Sequence, residues 1–293
     1  MAEGPRMKVL VIGGTGRVGV PLVAQLLERG VEVTVCLRSS DRAHLVPPPA
    51  IAVIADPLED PVGAVDVFRG KDAVFMLNKA SPAETVEGTM AVRLAREAGV
   101  SRFVYQTVHL LEDFAYLPHI ASKLAIKHAI EMSGMEYTFI APNHFFQNDE
   151  LCRAPLLEKG LYLTPLGSVG CCSIDARDIA EAAAVVLTTR GHAGKTYKLV
   201  GPRRLTGTDA AAVWAQALGK DVRYVDAIAR WQDHTRRFMP AWLHYDLSLM
   251  YGDFARRGML GTTEDVEELT KLLERPPRSL ENYAADRAAK WLA

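Results

Sequence analysis

The feature that most constrains this chain is a short apolar run that ends in a cluster of glycines. Met7-Lys8-Val9-Leu10-Val11-Ile12 is followed without a gap by Gly13-Gly14-Thr15-Gly16-Arg17-Val18-Gly19. A nearly all-apolar stretch of this length suits a strand covered on both faces. From Val18 to Arg29 apolar residues recur at helical spacing, and Gly30 ends the pattern. The run satisfies GxGxxG from Gly14 and GxxGxxG from Gly13, in the strand–turn–helix setting that gives such a motif physical meaning. Glycines let the backbone approach a diphosphate closely, while the helix start offers unpaired N–H groups and the positive end of its dipole. No lysine follows as in a Walker loop, which disfavours a nucleoside triphosphate.

The end of the next strand, Val31 to Leu37, decides which dinucleotide fits. A site for NAD places Asp or Glu there to hold the ribose 2′-hydroxyl. This chain has Leu37-Arg38-Ser39-Ser40, with Arg42 nearby. A guanidinium suits a 2′-phosphate, so the pattern points to NADP(H). Asp56, just past the strand Ile51–Ala55, is placed either to accept from the adenine amino group or to cap the following helix. Asn78, after the strand Ala73–Leu77, is a further candidate for lining the cleft.

Strand and helix patterns keep alternating through the first half. Helices are expected at Pro61–Arg69, Glu84–Ala98 and Pro118–Met132, and strands at Phe103–Gln106 and Tyr137–Ala141. Such alternation implies an α/β fold, a doubly wound parallel sheet with helices on both faces. Residues 1–148 are assigned to the dinucleotide-binding domain, with a strand at 194–200 returning to it. Residues 149–293 are assigned to a smaller, mainly helical C-terminal lobe that holds substrate or partner. Aromatic residues Trp214, Trp231, Phe238, Trp242, Tyr245, Tyr251 and Phe254 are expected to build its core and to face a ligand in part.

With a net charge of −1 and basic pairs scattered among acids, the chain carries no footprint for nucleic acid or an anionic membrane. No apolar stretch approaches the ~18 residues needed to span a bilayer. The N-terminal Met1 to Arg6 lacks a signal-type apolar core, and the four cysteines, with no CxxC, read as reduced thiols. A cytoplasmic location is expected. His109, His119, His128 and His144 have no compact ligand spacing, so no metal site is expected.

These residues together resemble the NmrA-like branch of the atypical short-chain dehydrogenase/reductase superfamily. The likeness is carried by KVLVIGGTGRVG, the strand-end Arg38, the stretch Ser122 to Asn148, SIDARDIAEAAAVVL (Ser173 to Leu187) and GKTYKLVGP (Gly194 to Pro202). It implies a Rossmann-type domain, NADP(H) binding and a small C-terminal lobe. Relatives in the wider superfamily pair a Tyr with a Lys four residues on, and take a Ser from the preceding strand end. Here His119 stands in the tyrosine position, Lys123 keeps the lysine, and Thr107 replaces the serine. Lys123 is then expected to face the cofactor, and His119 either to act as a general acid or to be an ordinary helix-start histidine. By the same resemblance the backbone of Pro142, Asn143 and Phe145 borders the nicotinamide. His109 and His144 are further candidates to reach substrate. Two functions fit: an NADPH-dependent reductase of a small apolar or aromatic acceptor (carbonyl, quinone, imine or enone), and a non-catalytic NADP(H)-binding redox sensor that acts through a protein partner.

Overall fold

The computed structural model describes residues 6–292, so the N-terminal stretch discussed above lies, through Pro5, outside the described residues. Near-continuous β-branched and aromatic runs produce strands β1 (Lys8–Ile12), β2 (Glu32–Leu37), β3 (Ile51–Ile54), β4 (Ala73–Met76), β5 (Arg102–Gln106) and β6 (Glu136–Pro142). Two more follow, β7 (Leu161–Tyr162) and β8 (Lys195–Leu199). Seven of these form one sheet in the order β3-β2-β1-β4-β5-β6-β8, and β1 to β6 pair in parallel. The chain builds outward from β1 to β3, then returns to place β4 on the other side of β1. That reversal opens a crevice at the carboxyl ends of β1 and β4, the place where doubly wound sheets take their ligands.

The intervening helices are α1 (Gly19–Glu28), α2 (Pro61–Phe68), α3 (Glu84–Glu97), α4 (Pro118–Glu131), α5 (Arg153–Lys159) and α6 (Ala176–Thr188). On one face of the sheet Leu10, Val74, Phe103 and Tyr105 pack with Phe68 of α2, Ala91 and Ala95 of α3 and Ile126 and Ile130 of α4. Strand side chains alternate between faces, so Val9 and Val11, equally buried, serve the opposite face. The helix after β3 is capped by Asp60, whose carboxylate accepts from Gly63 N, with Pro61 in the first turn. The capping role considered for Asp56 is therefore corrected: Asp56 lies four residues too early and instead accepts from Leu58 N in a local turn.

The described chain divides into two compact units: one comprises the chain up to Ala115, His119–Ala141 and Ile179–Tyr197, and the other Tyr116–Pro118, Pro142–Asp178 and everything from Lys198. The second unit is mainly helical, with α7 (Gly207–Leu218), α8 (Ile228–Thr235), α9 (Ala241–Arg257), α10 (Thr263–Leu273) and α11 (Leu280–Leu292). It also holds a two-stranded parallel sheet of β7 with β9 (Arg223–Tyr224), which the helical sequence pattern does not announce. Isolated bridges join Cys171 to Leu205 and Met259, and Phe145 to Ile174. Trp214, Trp231, Tyr251, Phe254 and Tyr283 are buried, and Trp214 stacks on Trp291 at 4.9 Å. Phe238 and Tyr245, by contrast, are exposed. The basic pairs end on acids: Arg203 on Glu281, Arg236 on Asp233, and Arg256 and Arg257 on Asp253. Among the described residues no helix is long and apolar enough to cross a membrane.

At the heart of this unit sits Asp149, a carboxylate with no basic partner among its hydrogen bonds. It accepts from Tyr162 OH at 2.8 Å, Thr164 Oγ1 at 2.9 Å and Trp214 Nε1 at 2.8 Å. Burial pushes its pKa up to about 6 against the pull of these three donors. The folded state thus favours the neutral acid. The stability this contributes is present below the unfolded value and is lost as pH rises through about 6. The stability difference between the wild type and Asp149→Asn should therefore shift by about 2–3 kcal/mol in favour of the variant between acid and neutral pH. Denaturant melts at both ends of that range check this, and a pH-independent difference would refute the raised value.

Candidate functional site

The glycine run folds into a turn that tolerates no side chains at three positions. Gly13 has φ +88°, and a Cβ there would lie 2.4 Å from Leu77 O. A Cβ on Gly14 would come within 2.7 Å of Val35 Cγ1, and one on Gly19 within 2.1 Å of Gly13 O. Gly16 closes the turn through its N–H to Gly13 O at 3.0 Å. The helix that follows begins after Val18 with no side-chain cap and no acid in its first turn. Val20 N–H already donates to Gly16 O and Leu22 N–H to Val18 O, and Pro21 has none, so the positive end of the helix dipole is what the start of α1 offers an external anion.

Gly13, Thr15 and Gly16 line a cavity of about 480 Å³ at the carboxyl edge of the sheet, together with Arg38, Arg42, Asp56, Asn78 and Glu87. The volume is in the range of small-molecule and cofactor sites. Arg42 donates from Nη2 to Thr15 O at 2.8 Å, which fixes a second guanidinium over the turn. Arg38 reaches Glu87 with Nη1 2.8 Å from Oε1. Asn78 Oδ1 is buried with no hydrogen-bond partner, an open acceptor on the cavity wall. Cys36 also lines the cavity, but burial and then the charge of Asp56 push its thiol up to about 11, so it stays protonated and unreactive. A glycine cradle, an uncapped helix start, two guanidinia and an orphaned amide oxygen make a donor set that fits a phosphorylated dinucleotide.

A second cluster lies in the same unit. Lys123 Nζ, with its side chain 12% exposed, is 2.8 Å from Oε1 of Glu84, which is fully buried at the start of α3. The ammonium sits 6.0 Å from the centre of the Tyr105 ring. Tyr105 OH and Glu84 Oε2 are both buried without a hydrogen-bond partner. Burial raises the Glu84 carboxyl, opposed first by Lys123 and further by His119, one turn earlier on α4. Burial, and then the Glu84 charge, hold the Tyr105 phenol well above its ordinary value.

The expected residues are therefore dispersed in instructive ways. Gly13, Thr15, Gly16, Arg38, Asp56 and Asn78 come together in one cavity, while Gly14, Val18 and Gly19 are buried and Arg17 is exposed. Lys123 pairs with Glu84 rather than lining that cavity, and the charge of His119 acts on the same carboxyl. Thr107 turns its hydroxyl toward Ile140 O at 3.4 Å and is buried. Pro142, Asn143 and Phe145 belong to the second unit. There Asn143 donates to Met259 O and accepts from His144 N, so its side chain is an internal tie. Both ring nitrogens of His144 are engaged, with Ser173 Oγ at 3.2 Å and Tyr251 OH at 3.1 Å, and this buried imidazole is built into the interior. Glu84 and Glu87 escaped the sequence reading because acids in a first helical turn look like ordinary partners of the helix dipole. Among the described residues no group of three or more His, Cys, Asp or Glu side chains is arranged to hold a metal.

The model of the NmrA-like family matches residues 5–284. The chain belongs to the NmrA-like family. Its relatives include an NAD(P)H azoreductase of Xenophilus azovorans, 29% identical over 290 residues that cover 97% of this chain and 99% of that protein. Among solved structures, an NADPH-dependent quinone oxidoreductase from Escherichia coli complexed with NADPH superposes with a TM-score of 0.84 at 21% identity, covering 97% of this chain and 100% of the other. NmrA, a negative transcriptional regulator solved in complex with NADP, gives 0.80 at 18% identity, with 98% and 97% covered. At these identities the structural matches establish the Rossmann-type fold, which catalysts and regulators share.

Proposed function

We propose that this chain is an NADPH-dependent reductase of a small apolar or aromatic acceptor, a carbonyl, quinone, imine or enone. The observation that carries the reading is a single cavity that joins the uncapped start of α1 to the guanidinia of Arg38 and Arg42. The near full-length likeness to an azoreductase supports it. In this reading the Gly13–Gly19 turn holds the diphosphate, Arg38 the 2′-phosphate, Asp56 the adenine edge, and Asn78 the nicotinamide side. NADPH, when bound, supplies the hydride. The protein contributes position, exclusion of water and proton handling. Lys123 holds its protons at Nζ against the buried Glu84 carboxyl, and His119 is the exchangeable donor one turn away. Residues 149–293 form the acceptor-holding lobe.

The test is a fluorescence titration with NADPH followed by a spectrophotometric screen for NADPH oxidation with azo dyes, quinones, aldehydes and enones. Tight binding with turnover is expected. Tight binding with silence across the panel would move the assignment to the redox sensor acting through a protein partner, the reading favoured by the absence of a tyrosine at position 119. No binding would end both.

A further inference from the structure

The end of β2 lacks the acid that holds a ribose 2′-hydroxyl in NAD sites, yet a carboxylate from elsewhere reaches the guanidinium of Arg38 that stands there. Glu87 lies in the first turn of α3, 49 residues from Arg38 in sequence, and its Oε1 is 2.8 Å from Arg38 Nη1. Both side chains line the cavity that holds the glycine turn. Glu87 is the more enclosed partner, with its side chain 17% exposed against 50% for Arg38. Among the other charged groups nearby, Lys79 lines the same cavity as a further cation, while three are engaged elsewhere. Arg42 is tied to Thr15 O, Asp56 to Leu58 N, and Glu84 to Lys123.

This pairing has opposite consequences for the two nicotinamide coenzymes. A 2′-phosphate that takes the Arg38 guanidinium must displace a carboxylate of the same sign as itself, or bind beside it. A bare 2′-hydroxyl, by contrast, finds in Glu87 the charged acceptor that Asp or Glu supplies at the strand end of NAD sites. We propose that Glu87 is a coenzyme-specificity residue, an acceptor for the 2′-hydroxyl of NADH and a competitor of the 2′-phosphate of NADPH for Arg38. The chain then takes both coenzymes, and the partner that Arg38 adopts sets the discrimination between them. This rests on the coenzyme-binding reading above and adds to it a residue from a different element.

Dissociation constants for NADPH and NADH, measured by coenzyme fluorescence at low salt, test it in the wild type, Glu87→Gln and Glu87→Ala. Both replacements are good helix formers, so α3 is preserved. Each variant should bind NADPH roughly fivefold more tightly and NADH more weakly, moving the NADPH/NADH preference by about tenfold. Arg38→Ala should weaken NADPH by about tenfold or more and leave NADH almost unchanged. A preference in the two Glu87 variants that moves by less than about threefold would overturn the role of Glu87 while leaving the coenzyme reading intact. A wild-type protein that binds neither coenzyme would overturn both.

Discussion

Gly19→Ala is expected to weaken NADPH binding by about a hundredfold, a loss of ~3 kcal/mol, without unfolding the sheet. The added methyl would lie 2.1 Å from Gly13 O and 2.5 Å from Gly14 Cα, both backbone atoms that cannot swing aside. The turn must open or the start of α1 must shift, and either movement takes the N–H groups away from the positions a diphosphate requires. Displacements on the order of 1 Å at a binding turn carry losses of this size. Two neighbours supply the control. At Gly16 the nearest atom to an added Cβ is Gly13 O at 3.3 Å, so Gly16→Ala should lose far less. At Gly30, φ is +74° with nothing within 4 Å, so Gly30→Ala strains the helix end and should lower stability while sparing affinity. Titrations of the three variants, with thermal melts alongside, separate these effects. Equal affinity in Gly19→Ala and the wild type would remove the turn from the coenzyme site.

The second large effect concerns the buried ion pair. Lys123→Met leaves the Glu84 carboxylate without its counter-charge at a fully buried position. Breaking a buried pair from one side costs about 3–5 kcal/mol, because the remaining charge is neither solvated nor matched. For a chain of this size a fall in melting temperature on the order of 10 °C is expected at neutral pH. The pH dependence is distinctive. Burial raises the pKa of the Glu84 carboxyl, so the folded state holds its proton more tightly than the unfolded chain does, and the stability this contributes at low pH is lost as pH rises through the folded value. Removing Lys123 withdraws the largest influence opposing that rise. The deficit of Lys123→Met should therefore shrink on acidification and grow toward neutrality. The double variant Lys123→Met with Glu84→Gln should recover most of the loss at pH 7. Equal losses in the single and double variants would show that the ammonium does not balance this carboxylate.

That pair also explains why the catalytic side of the molecule was harder to read than the coenzyme side. The resemblance placed Lys123 and His119 on one helical turn, and both are there. Nothing in their spacing indicated that the ammonium is committed to an acid 39 residues earlier, or that the ring of Tyr105, whose hydroxyl is orphaned, lies 6.0 Å from it. Thr107 and Asn143 were legible as strand-end polar residues. Their hydroxyl and amide are directed to backbone groups that only the folded chain brings near. The Asp56 capping alternative failed for a different reason, since helix starts shift easily by a few residues in sequence reading and the nearer Asp60 takes the cap.

What the sequence determined by itself was the architecture and the diphosphate turn. Both depend on short-range regularities: the two-residue alternation of strands, the 3.6-residue period of helices, and the freedom from a Cβ that a tight turn demands within seven consecutive residues. The tertiary structure alone decided the electrostatics. Arg38 with Glu87, Lys123 with Glu84, and Asp149 with Tyr162, Thr164 and Trp214 join residues that are remote in sequence or on separate elements. A charge responds to whatever lies within a few ångströms of it and to how much water remains there. Those quantities exist only once the strands and helices have been placed in space.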